Sequence, residues 1–129
     1  MVNRAAASVA SLMAASGILF APPACANDGW VAAASSPSHE SSEKVWGYNQ
    51  ADAESRALAQ CAALERADDC VLLASGPDCV AIAWDASQPI NHAHGASGGG
   101  REVALQGAIA AAGPGANDAS ARCSWDPHP

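Results

Sequence analysis

The stretch Asp68–Asp85, DDCVLLASGPDCVAIAWD, decides how this chain folds. It holds two short apolar runs, Val71-Leu72-Leu73-Ala74 and Val80-Ala81-Ile82-Ala83-Trp84, on either side of Ser75-Gly76-Pro77-Asp78. Runs of this length bounded by Gly and Pro read as buried strands. Each is preceded by a cysteine, Cys70 or Cys79, so each strand start is expected to be tied covalently to another part of the chain.

Far upstream the composition is different. Asn3-Arg4 gives a weakly basic start, Ala5 to Phe20 is an alanine-rich apolar run, and Pro22-Pro23 breaks it. Ala24-Cys25-Ala26 then supplies the small-x-small pattern of a signal-peptidase site. Residues 1–26 are therefore expected to be a secretory signal peptide cleaved near Ala26, leaving a secreted or periplasmic product. The apolar run falls short of the roughly 20 residues a membrane span needs, and no second one follows, so no membrane span is expected. Lipid attachment at Cys25 is the weaker reading, because Pro22 stands where a lipobox carries an aliphatic residue. Residues 27–129 then form a single domain.

Without Arg4 the remaining chain carries five basic residues against thirteen acidic ones, a net charge of −8. The acidic residues are scattered, which argues against nucleic acid and anionic membrane surfaces as partners. Large hydrophobes are few, and alanine supplies much of the apolar content. A small core of this kind commonly needs cross-links. Loss of Cys25 with the leader leaves Cys61, Cys70, Cys79 and Cys123, an even number in an exported domain, which reads as two disulfides with three connectivities open. Their spacing lacks the close cysteine pairs of structural zinc sites.

In chain order, Trp30 to Ala34 reads as a strand, Pro37 to Ser42 as a loop and Lys44 to Tyr48 as a second strand, the two making a hairpin. Asn49 is a good N-cap for a helix from Gln50 to about Ala67, with Asp52 near its positive end. Ala57, Leu58, Cys61 and Leu64 recur on one apolar face. After the strands at Val71 and Cys79 come a loop from Ala86 to Ile90 and a weak strand from Asn91 to Ala96. A helix from Arg101 to about Ala112 follows, with Leu105, Ala108, Ile109 and Ala112 on one side, then a last short strand from Arg122 to Trp125. The expectation is a small disulfide-linked α+β domain, an antiparallel sheet with two helices.

The order strand, strand, helix, strand occurs twice, which suggests an internal duplication. Trp30 and Asp78 start the copies at an offset of 48, Gly47 and Gly95 keep it, Ala57-Leu58 and Ala104-Leu105 differ by 47, and Cys70 and Cys123 by 53. The second helix has Ala108-Ile109 where the first has Cys61, so Cys123 lacks a helical partner. Cys61 reaches Cys70 across a short turn, which leaves Cys79 for Cys123.

A helix ending Ala57-Leu58-Ala59-Gln60-Cys61, then Cys70-Val71-Leu72-Leu73, then Cys79-Val80-Ala81-Ile82-Ala83-Trp84, resembles a family of small exported bacterial proteins, the domain of unknown function 4189. Trp30-Val31-Ala32-Ala33-Ala34 is similar to that family's first strand, and the resemblance covers nearly all of residues 27–129. The second helix departs from the pattern in being rich in alanine and glycine. The family brings no established catalytic residues, so none are carried over.

Chemistry-bearing patterns are sparse. His92-Ala93-His94 puts two imidazoles on one face of a strand, where His39 or Asp85 nearby would complete a metal site; a solvated loop is the plainer reading. Ser97-Gly98-Gly99-Gly100 lacks a phosphate-loop pattern and reads as a connector. No G-x-S-x-G nucleophile motif occurs. Four tryptophans are many for this length; Trp46 and Trp84 are expected to pack on the helices, whereas Trp30 and Trp125 near the ends suit a contact surface. The expected function is a non-enzymatic module, without cofactor or metal, that binds another exported or periplasmic protein, as an inhibitor or immunity protein does. The alternative is a small metal-binding protein or enzyme using His92 and His94.

Overall fold

A computed structural model describes residues 29–87 and 92–127. The expected leader at 1–26, its cleavage point and most of the loop after Ser87 lie outside the described residues.

β1 (Trp30–Ser36) and β2 (Ser41–Gly47) pair antiparallel from Trp30 opposite Gly47 to Ser36 opposite Ser41. A single 3-10 turn, Pro37–His39, joins them, with Glu40 in the left-handed region at φ 49°. The hairpin is longer than its apolar runs suggest, because backbone pairing carries the ladder through polar serines. α1 (Gln50–Glu65) starts where expected: the Asn49 side chain accepts from the Asp52 N–H at 2.9 Å, and the Asp52 carboxylate accepts from the Tyr48 N–H at 2.9 Å. Such reciprocal capping satisfies donors that the first turn leaves open. β3 (Val71–Gly76), β4 (Cys79–Asp85) and β5 (His92–Gly98) follow. α2 (Arg101–Ala112) ends at Gly113, whose φ of 86° favours glycine. β6 (Ala116–Cys123) begins six residues earlier than the expected strand, because its polar first half pairs with β4.

The strands form two antiparallel three-stranded sheets, ordered β2-β1-β3 and β5-β4-β6. They stack face to face through Val31 and Ala33 of one sheet and Val80 and Ile82 of the other. α1 covers the outer face of the first sheet, where Ala53, Ala57 and Cys61 meet Ala32 and Ala34. α2 covers the second, where Ala104, Ala108 and Ala112 meet Cys79, Ala81 and Ala83. The layers therefore run helix, sheet, sheet, helix. The expected α+β class holds, with its sheet split in two.

Each half has the order strand, strand, helix, strand, and in each sheet the first strand is central. The offsets differ from those read in the sequence. Trp30–Ser36 corresponds to Cys79–Asp85 at an offset of 49, since Val31 and Val80 both face the sheet interface. An offset of 48 would turn every side chain to the opposite face. Gly47 corresponds to Gly98, not Gly95, and Ala53 to Ala104, both at 51, by strand register and helix burial. Val71 corresponds to Asn117 at 46, so Cys70 and Cys123 are not equivalent: one precedes a third strand, the other ends one. The counterpart of Cys61 is Ala112, not Ala108. The disulfides are nonetheless Cys61–Cys70 and Cys79–Cys123, as expected.

The helix faces are also narrower than their hydrophobes suggest. Leu64 is 62 % exposed and Ile109 45 %, whereas alanines four apart fill each interface. Small side chains on both surfaces let helix and sheet come close, and bulkier ones are left at the margin. A Cβ on Gly47 would lie 2.4 Å from the Ala53 nitrogen, and one on its counterpart Gly98 would lie 2.9 Å from the Ala104 nitrogen. Both sites need glycine for this close approach.

Candidate functional site: a cleft beside the β3 edge

β3 is an edge strand, and it stacks over β5, the edge strand of the other sheet, with Leu73 against Gly95. Toward the start of β3 this stack opens into a cleft of about 220 Å³. Val71 and Leu73 line it from β3, Trp84 from β4 and His92, Ala93 and His94 from β5, and Ser35, Ser36 and Pro37 close one end. Val71 is 47 % exposed and its neighbour Leu72 40 %. An apolar floor with a few polar groups at the rim is the usual composition of a binding site.

The start of β3 is held from two sides. The Cys61–Cys70 disulfide ties it to α1. One residue earlier, the Asp69 carboxylate accepts from the Ser36 hydroxyl at 2.6 Å and from the Ser38 N–H at 2.9 Å. These bonds, the Ser36 hydroxyl first, hold the Asp69 carboxyl down at about 2. His39 Nδ1 lies 3.0 Å from the hydroxyls of both Ser36 and Ser38. In a Ser-His-Asp relay the carboxylate orients the imidazole and the imidazole takes the serine proton. Here the serine gives its hydrogen to the carboxylate directly, so the network fixes the end of β1 to the entry of β3.

His92 and His94 both line the cleft, but His39 and Asp85 do not complete a metal site with them. His39 is engaged by the two serines, and Asp85 accepts from the Ser87 N–H and hydroxyl at 3.0 and 2.6 Å. Among the described residues no group of three or more His, Cys, Asp or Glu is placed to hold a metal ion. No helix among them is long and apolar enough to cross a membrane.

Trp46 and Trp125 lie as expected, on α1 and at the surface, whereas Trp84 and Trp30 do not. Trp84 packs against the inter-sheet cluster and lines the cleft, rather than lying on a helix. Trp30 is half-buried against the α1 interface, while Trp125 is 49 % exposed. Trp46 meets α1 through Arg56, whose guanidinium sits 5.9 Å from its ring and 5.4 Å from that of exposed Tyr48, a cation–π cluster with no local sequence signal.

No family model, no curated protein and no solved structure matches this chain.

Proposed function

We propose that the chain is an exported, non-enzymatic protein-binding module that takes hold of its partner along the β3 edge and the adjoining cleft, in the manner of an inhibitor or immunity protein. The carrying observation is that Val71 and Leu72, on an edge strand, stand open to solvent next to an apolar cleft. Edge strands offer unpaired backbone donors and acceptors, and proteins ordinarily blunt them with charge or proline. This one carries Val-Leu-Leu instead, which suits addition of a partner strand with side chains reaching into the cleft. Two disulfides support an oxidising compartment. The resemblance of the cysteine–strand unit to the domain of unknown function 4189 supports export as well.

The test is capture from a periplasmic or culture extract with the wild-type protein and a Leu72→Lys variant. One dominant partner, held by the wild type and lost with Leu72→Lys, is the expected result. A partner retained equally by the variant, or none at all, overturns the reading.

A second reading follows from His92 and His94 lining the same cleft: a small metal-binding protein or enzyme. Titration with Zn²⁺ or Cu²⁺ decides it. Stoichiometric binding abolished by His92→Ala and His94→Ala supports that reading, and its absence removes it.

A further inference from the structure

The sandwich has a second pair of stacked edges, β2 over β6, and its chemistry is opposite to that of the cleft. Lys44 is opposite Ala33 and Ser120 opposite Ile82, so both share the inter-sheet side with those residues. Arg122, opposite Val80, is on that side too. The Lys44 ammonium donates to the Ser120 hydroxyl across the sheets at 2.8 Å. Arg122 donates from Nη2 to the Pro127 carbonyl at 3.2 Å, while its Nε is buried with no partner among the described residues.

Among the described residues neither cation has a carboxylate within salt-bridge reach. Glu43, next to Lys44 in the chain, points to the other face of β2, where its oxygen accepts from Gln60 of α1. Asp126, within electrostatic reach of Arg122, accepts its hydrogen bonds from Arg101 and the Cys123 N–H instead. In a chain with thirteen acidic residues and six basic ones, two basic side chains thus share this seam with no salt-bridged acid among the described residues. Burial first, and then Arg122, pushes the Lys44 ammonium below its usual range, against the pull of Glu43. Four donors on this side of the seam have no protein acceptor among the described residues: the remaining Lys44 hydrogens, the Arg122 Nε–H and the hydrogen of the Ser120 hydroxyl, whose oxygen already accepts from Lys44.

We propose that the β2/β6 seam binds a doubly charged oxyanion, a phosphate or sulfate group, held by Lys44, Arg122 and Ser120. Charge-assisted bonds from a guanidinium and an ammonium to such a group are among the stronger hydrogen bonds. The site lies on the edge opposite the cleft and does not depend on the protein-binding reading.

The test is an NMR titration of the Arg122 Nε–H resonance in the disulfide-intact protein, with sodium phosphate against sodium chloride at matched ionic strength. A saturable shift with phosphate and sulfate but not chloride is expected, weakened at least about tenfold by Lys44→Gln. If Lys44→Gln does not fold, Ser120→Ala, which keeps both charges, is expected to weaken binding by a smaller factor. A shift that follows ionic strength alone, or one untouched by both variants, overturns the site. A phosphate monoester arm then separates the sources: binding equal to that of phosphate assigns the seam to a phosphate carried on a larger molecule, and exclusion assigns it to the free ion, either upholding the oxyanion site.

Discussion

The two halves of this molecule share one topology and are cross-linked in different places. In the first, Cys61–Cys70 joins the helix to the entry of the third strand, and the central strand β1 carries no covalent tie. In the second, Cys79–Cys123 joins the central strand to the edge strand β6 at directly opposed positions, and α2 has no covalent tie, being held by packing and by Arg101, which pairs with Asp126 and donates to the Ala121 carbonyl. The first half keeps its sheet by burial and cross-links its helix, whereas the second cross-links its sheet and leaves its helix to non-covalent contacts. The added fastenings of the first half, the disulfide and the Asp69 network, both lie at the start of β3, where the cleft opens. The same architecture is therefore stiffened beside the candidate site in one copy only.

This contrast is sharpened most strongly by removing each disulfide as a pair. Replacing Cys79 and Cys123 by alanine opens a loop with sequence separation 44, and replacing Cys61 and Cys70 opens one of 9. Chain-entropy arithmetic gives losses of about 4 and about 3 kcal/mol respectively. Urea unfolding is expected to show the larger loss for removal of Cys79–Cys123; the reverse order would mean that burial of Cys61 against α1's sheet outweighs loop length.

Next come the paired glycines. Gly47→Ala is expected to cost about 3 kcal/mol, because its new methyl meets the backbone of Ala53. Gly98→Ala is expected to cost less, about 1 kcal/mol, since its new methyl meets the Ala104 nitrogen less closely and its nearest neighbour is the side chain of exposed Val103, which can move. Equal losses would show that the Ala104 backbone confines Gly98 as tightly as the Ala53 backbone confines Gly47, and would remove the predicted difference.

A third prediction concerns acid. The Asp69 carboxyl is held at about 2, below its unfolded value of 3.8, so its contribution is present above pH 4 and is lost as pH falls through about 2. By the β3/β6 register its counterpart in the second half is Gly115, which has no carboxyl. Acid titration of wild type and Asp69→Asn is expected to differ in slope between pH 4 and 2, and identical slopes would remove the network's role. The smallest effects belong to Leu64→Gln and Ile109→Gln, expected within about 0.5 kcal/mol because alanines, not these residues, fill the helix interfaces.

Much of the fold is legible in the sequence. The apolar runs at Val71 and Val80, the Asn49 cap and the Gly-Pro-Gly stop after Ala112 mark the element order, and that order with the cysteine positions suffices for the disulfide pairing. Register is not legible. In Trp30-Val31-Ala32-Ala33-Ala34, alanine suits either face of a strand, so nothing in the pattern separates an offset of 48 from 49. Leu64 and Ile109 mislead for a related reason: hydrophobicity alone ranks them above alanine, but close helix–sheet contact excludes them.

The site is less legible. His92 and His94 stand out, yet the cleft draws its walls from β1, β3, β4 and β5, and Ser36 and Asp69 are 33 residues apart. Lys44 and Ser120 are 76 apart and meet only when the two sheets stack. No local pattern encodes a contact across two layers.

The most direct test of the account is native-state hydrogen exchange, with both disulfides intact, at Val31 and Ala33 of β1 and at Val80 and Ile82 of β4. If the halves form one sandwich sharing this core, the slowest amides of both central strands exchange with the same free energy, that of global unfolding. Exchange of the β1 amides at a free energy lower by more than about 2 kcal/mol would show that the first half opens alone, and would contradict the shared core.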